Sequence, residues 1–298
     1  MIKKNTKNMQ VKARKQAKIL GIKMDSTFVS RVLARVRWFI SHNSKFYIVT
    51  PNPELVLMAQ DDEALKKALN GAKVSIPDGI GLSQANKFLS LAAPKNKFLR
   101  GVISFGQGLV VGAATFFDRS WLMDGLEVIK GREVVIKLIA LANKMGWRVF
   151  FLGGRGDEAE KAAYKLRLNY KKIRIESFKG PELDNEAEPI SEVNRLMLFD
   201  AIVKINDFKP HLLFVAFGNP KQEKWIRKNL GRLKIGGAMA VGGTFRYIAG
   251  YSKLPPKWME KAGLEWIWRL LTEPRRIKRI FNAWPVFPWR VFLYKIRN

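Results

Sequence analysis

The chain of 298 residues contains no cysteine, so neither a disulfide framework nor thiolate chemistry is available to it. Its two histidines, His42 and His211, exclude a multi-histidine metal centre and leave a histidine-dependent triad short of material. No Asp-x-Asp pair occurs, so a Mg2+ site built on that carboxylate pair is not indicated and no cofactor is expected. No apolar core follows the basic N-terminus, so a signal peptide is not expected. Acid is scarce as well: 25 Asp and Glu face 54 Lys and Arg, a formal net charge of +29. That balance says nothing about fold but points to a polyanionic partner, either nucleic acid or an anionic membrane surface.

What is present suffices for one large α/β domain with an appendage, or for two small domains, since 47% of the residues are hydrophobic. Residues 1–44 read as a basic arm followed by an amphipathic helix, with Arg31, Arg35 and Arg37 between apolar positions. The arm, residues 1–24, reads as poorly ordered or as a frayed helix. Residues 45–250 alternate short apolar runs, Gly/Pro turns and helical stretches. This pattern predicts a Rossmann-like, mostly parallel sheet with helices on both faces. One helix is expected over about 54–69. Residues 91–126 look like an insertion, in which residues 101–117 are uncharged and carry four glycines. That run is shorter than the roughly 20 residues of a membrane span, so a lipid-touching hairpin or a buried loop is expected. From Tyr251 onward the chain becomes basic and holds five of the nine tryptophans, at 258, 266, 268, 284 and 289. Trp rings favour a bilayer interface and Lys/Arg favour anionic headgroups, so 251–298 reads as a helical, membrane-associating appendage. Arg/Trp interleaving also serves nucleic acid, the alternative partner.

Chemistry is expected at the carboxyl ends of the strands, where open α/β sheets bind ligands. The run from Leu212 to Phe217 ends in Gly218-Asn219-Pro220, with Pro220 suited to a first helical turn. This sets Lys221, Gln222 and Glu223 over a helix start whose amides favour an anion. Gly153 and Gly154 open a second strand-to-helix turn able to admit a phosphate. Thr50 and Asn52 follow another strand; helix capping would equally explain Asn52. Asp78 lies between an apolar strand and an apolar helix, where partial desolvation makes a carboxylate a better base; capping is again the plain alternative.

Taken together, Thr50-Pro51-Asn52-Pro53-Glu54, Pro77-Asp78-Gly79-Ile80-Gly81, the run from Arg148 to Gly154, Gly218-Asn219-Pro220-Lys221-Gln222-Glu223, Gly242-Gly243-Thr244-Phe245, Pro256-Lys257-Trp258, Gly263-Leu264-Glu265-Trp266 and the run from Arg269 to Arg275 resemble the WecG/TagA/CpsF glycosyltransferases over about residues 45–282. Members of that family include N-acetylmannosaminyltransferases. The resemblance implies an inverting transferase moving a sugar from a UDP-sugar donor to a polyprenyl-pyrophosphate-linked saccharide acceptor in cell-surface polysaccharide synthesis. It also implies a peripheral position on the cytoplasmic face of the membrane, with the basic appendage completing the site. The family's catalytic base falls on Asp78, its first-motif threonine and asparagine on Thr50 and Asn52, and its nucleotide-side glutamine on Gln222. Glu223 and Gly243 lie within matching motifs. Arg269, Arg275 or Arg276 would help neutralise the leaving UDP if the tail folds over the crevice. Nucleic acid is not an expected partner on this reading, and a homo-oligomer is left open. Three departures stand out: Arg246 replaces the usual Asp, residues 128–133 carry an altered motif ending in Glu133, and 91–126 is extra. An inactive, membrane-bound relative is the further alternative they raise.

Overall fold

The computed structural model describes residues 16–262, 265–272, 274 and 277–298; the side chains at 260–262, 266, 269, 278 and 279 lie outside that description. The first described residues form a hairpin, not a frayed arm: β1 (Gln16–Ile19) pairs antiparallel with β2 (Ile22–Asp25). Leu20 and Gly21 both take positive φ, the geometry of a two-residue hairpin turn. Ile19, Ile22 and Met24 are buried beneath it while the lysines face out. Residues 1–15 lie outside the described residues. Helix α1 (Val29–Ser41) follows and buries Val32, Val36 and Phe39.

Six strands then build one sheet: β3 (Phe46–Val49), β4 (Val74–Ser75), β5 (Arg148–Gly153), β6 (Arg174–Phe178), β7 (Leu212–Ala216) and β8 (Gly237–Ala240). Their order is β4-β3-β8-β7-β5-β6 and every neighbouring pair is parallel, as the alternating pattern predicts. The interior strands are buried on both faces, which is why they read as nearly continuous apolar runs. Gly237 sits opposite Phe46 in the register, and a Cβ there would lie 2.3 Å from the Phe46 ring, so only glycine fits.

Right-handed crossovers sort the helices. Steps from β3 to β4, β6 to β7 and β7 to β8 run one way along the sheet. They place α2 (Pro53–Met58), α3 (Glu63–Asn70), α9 (Glu192–Phe208) and α10 (Lys221–Asn229) on one face. Between β4 and β5 come α4 (Ile80–Ser90), α5 (Lys97–Phe117), α6 (Arg119–Met123) and α7 (Gly131–Met145), and between β5 and β6 comes α8 (Glu158–Asn169). Helices α7 and α8 pack on the opposite face with α1 and α11 (Thr244–Ala249).

The helix expected over 54–69 is two helices. The first ends at Met58, and Asp62 caps the second, its Oδ1 accepting from Leu65 N at 2.9 Å. The insertion is neither hairpin nor buried loop: α5 is a single helix of 21 residues, mostly exposed. The appendage is helical as expected, with α12 (Lys257–Ala262), α13 (Glu265–Thr272), α14 (Ile277–Phe281), a π-turn at Asn282–Val286 and α15 (Phe287–Arg297). Phe287 and Val291 of α15 are buried in the domain's own core cluster.

Candidate active site

Strands β4 and β3 end side by side, and their turns are bonded to each other. The Asp78 amide donates to Pro51 O at 2.8 Å, and Ile76 N donates to Val49 O at 2.9 Å. Gly79 takes φ +101, which a side chain would strain, and lets the chain turn sharply from Asp78 into α4. Asp78 is therefore a half-buried carboxylate presented at a strand end, beside half-buried Thr50. Asn52 is likewise half-buried, and its Oδ1 caps α2 by accepting from Leu55 N at 2.8 Å. The stretch before α7 closes the same corner: Ile129 N donates to Pro77 O at 2.9 Å, and Gly131 lies against Thr50.

On the far side of β3, the ends of β8 and β7 are joined through Gln222. Its Oε1 accepts from Gly242 N at 3.0 Å while its Nε2 donates to Asn219 Oδ1 at 3.0 Å and Glu223 Oε1 at 2.8 Å. Gln222 is 2% exposed, so its amide is engaged by the protein. Pro220 is the cap residue of α10, one position short of the expected first turn. Lys221 Nζ donates to Leu183 O, tying the start of α10 to the 180s loop. Glu223 is buried beneath it, and Gly243 is exposed at the cap of α11.

The chain leaves β5 toward β6 but leaves the neighbouring β7 toward β8, so the sheet's topological switch lies between β5 and β7. Gly153 and Gly154 stand there with positive φ, and a Cβ on Gly153 would meet Ala216 O at 2.9 Å. The Gly154 amide donates to Ala216 O at 3.0 Å, and the Arg155 amide donates to Glu158 Oε2 at 3.0 Å. Two amides of the turn expected to admit a phosphate are thus satisfied internally, that of Gly154 by a carbonyl and that of Arg155 by a buried carboxylate. Arg246 takes up the other oxygen of that carboxylate, its Nη1 donating to Glu158 Oε1 at 3.2 Å. The basic residue at the position of the expected acid therefore neutralises Glu158.

The appendage reaches the Asp78 side. Arg132 Nη1 donates to Glu265 Oε1 at 2.7 Å, and Lys130 Nζ lies 3.5 Å from Glu265 Oε2. This fastens α13 beside the Thr50 and Pro77 turns. Phe287 of α15 borders Gly81, next to Pro53. Arg269 lies on α13, with its side chain outside the description; Arg275 and Arg276 lie outside the described residues. Lys130, Arg132 and Glu265 were missed as a cluster because Arg132 and Glu265 are 133 positions apart and no local pattern links them. The one available signal was the altered stretch at 128–133.

A cavity of about 780 Å3 lies elsewhere, around edge strand β6, lined among others by Gly156, Glu176, Lys179 and Lys204. Its mixed charges and its distance in strand order from β4 separate it from Asp78. By contrast, the four strand ends from β4 to β7 span roughly 14 Å at about 4.8 Å per strand. They form one continuous rim with Asp78 at one end and Gln222 at the other.

Comparison with known proteins places the chain in a family. The chain matches the family described as "Glycosyl transferase WecG/TagA/CpsF family" over residues 17–99 and 102–298, with the break inside α5. It is 27% identical over 275 residues to the N-acetylglucosaminyldiphosphoundecaprenol N-acetyl-beta-D-mannosaminyltransferase of Staphylococcus aureus strain NCTC 8325 / PS 47, covering 92% of this chain and 91% of that protein. The protein of the same name from strain MRSA252 is 26% identical over the same span. A match over nearly the whole chain shows that this protein is a glycosyltransferase and belongs to the WecG/TagA/CpsF family.

Proposed function

We propose that the enzyme transfers an N-acetylmannosamine-like sugar from a UDP-sugar to a polyprenyl-pyrophosphate-linked N-acetylglucosamine acceptor, with inversion and without a metal. The acceptor class is the one in the relatives' name. The observation that carries the mechanism is the joined pair of turns, Asp78 N to Pro51 O, beneath an appendage held by Glu265.

Inversion needs one base and one displacement. Asp78 takes the proton of the acceptor hydroxyl as its oxygen attacks the anomeric carbon. The bond to the UDP β-phosphate oxygen breaks, and UDP leaves with the electron pair. Thr50 and Asn52 line the acceptor side, where the Asn52 cap keeps its turn rigid. Gln222 acts on the donor side through the Gly242–Gly243 turn that it holds, together with Lys221 and Glu223. Gly153 and Gly154 shape the switch-point floor. The absence of an Asp-x-Asp pair supports metal-independent departure of UDP. Charge for that step comes from the α10 start and from Arg269, Arg275 or Arg276 of the appendage.

The test is UDP release from a panel of UDP-sugars, with and without a lipid-pyrophosphate N-acetylglucosamine acceptor and with EDTA throughout. Acceptor-dependent release with one N-acetylated hexosamine donor is expected. Release only after Mg2+ is added would contradict the metal-free step, and acceptor-independent release would contradict the acceptor.

A further inference from the structure

Helix α5 is turned the wrong way for water. The stripe facing the protein carries its polar side chains: Arg100 Nε donates to Pro94 O at 2.8 Å, and Gln107 Oε1 accepts from Lys295 Nζ at 2.7 Å. Ser104 is buried, and Gln84 Nε2 donates to Thr115 Oγ1. The stripe facing outward carries Val102, Phe105, Leu109, Val110, Phe116 and Phe117, exposed from 58% to 88%. A surface helix in water shows the reverse arrangement. An exposed apolar patch of this kind marks an interaction surface.

We propose that α5 lies in the plane of an anionic bilayer, with its outward stripe at the headgroup–acyl boundary. Three observations favour lipid as the occupant. The outward stripe has no charged side chain between Lys97 and Asp118, while Lys95, Lys97 and Arg119 flank it in a chain of net charge +29. The patch continues into α15, which packs beside α5 and exposes Trp289 and Tyr294, residue types suited to a bilayer interface. Bonds to α4, to α15 and to the 92–94 segment run from Arg100 to Thr115, so the helix is fastened lengthwise to the domain and lies flat instead of spanning. Because α5 packs on α4, which begins directly after Asp78 and Gly79, the anchor sits one helix layer from the proposed base. This deepens the reading of a lipid-linked acceptor and rests on it for its biological sense.

The experiment uses the full chain, vesicles of phosphatidylglycerol and phosphatidylethanolamine, and no sugar substrate, so its outcome is independent of the Asp78 chemistry. The wild type is expected to float with vesicles at 0.1 M and at 1 M salt. Val102→Glu/Leu109→Glu is expected to partition at least tenfold more weakly with an unchanged circular dichroism spectrum. Because the chain has no cysteine, Leu109→Cys gives a unique nitroxide site whose apolar label tolerates the fold. That label is expected to be reached by oxygen and shielded from a water-soluble relaxant once vesicles are added. Unaltered flotation of the double variant, loss of wild-type binding at 1 M salt, or a label still open to the water-soluble relaxant would overturn the proposal. A dimer that the double variant dissolves without changing flotation would do so as well, by assigning the face to a second copy.

Discussion

Gln222, expected on the nucleotide side, has its side-chain amide bonded to Gly242, Asn219 and Glu223. Its side chain joins the β7 and β8 turns from a buried position. Gln222→Ala would leave the Gly242 amide and its neighbours unpaired, at a cost of about 1–3 kcal/mol. The expected outcome is a lower melting temperature together with a raised KM for the donor; a change in neither would contradict the bridging role. His211 is the other informative residue. Its Nδ1 accepts from Arg148 N at 3.0 Å, which needs the neutral ring. Burial, and secondarily Arg148, hold its pKa below the usual histidine value. A depressed folded-state pKa means the stabilisation is complete above the unfolded pKa of about 6.5 and is lost as pH falls through the folded value. The melting temperature should therefore drop between pH 7.5 and 5, and less steeply in His211→Gln. Equal slopes would show that His211 is not the titrating group.

At the scale of elements, the appendage helix α13 is held by charge. Glu265 faces both Lys130 and Arg132 and is only 21% exposed, which places the cluster above an ordinary surface pair. Glu265→Ala should weaken docking by about 1 kcal/mol, roughly fivefold in the docked population. Faster tryptic cleavage after the appendage's lysines and arginines and a fall in kcat/KM are expected; unchanged proteolysis and activity would remove α13 from the site. Elsewhere, Lys224 ties three elements together. Burial works against its charge, but Asp62 at 2.5 Å and Glu186 at 2.9 Å outweigh that and raise its pKa. This contact explains why the 180s loop, acidic and featureless in sequence, is firmly seated against α10 and α3. Sequence periodicity could not reveal it, because both carboxylates lie far along the chain.

At the scale of the whole molecule, the parallel sheet was legible because interior strands such as Leu212–Ala216 must be apolar on both faces and their turns must hold Gly or Pro. The strand-end position of Asp78, Thr50 and Gln222 followed from the same logic. What escaped was non-local or locally ambiguous. The hairpin at 16–25 hides its alternation under lysines, and the Asp62 cap divides a stretch whose apolar period continues across it. Helix α5 combines helical spacing with glycines that suggested a break, and its inverted polarity shows only against α4 and α15. Net charge alone left nucleic acid and membrane equal; the exposed apolar face of α5 is the observation on which the membrane proposal rests.

The central claim is that one carboxylate, set by the bonded β3 and β4 turns, activates the acceptor. Asp78→Asn preserves size and removes basicity, so the most direct measurement is its single-turnover rate of UDP release at saturating donor and acceptor, on protein with a wild-type melting profile. A loss of about 10^2–10^4-fold with little change in donor affinity is expected; a rate within threefold of wild type would contradict the account.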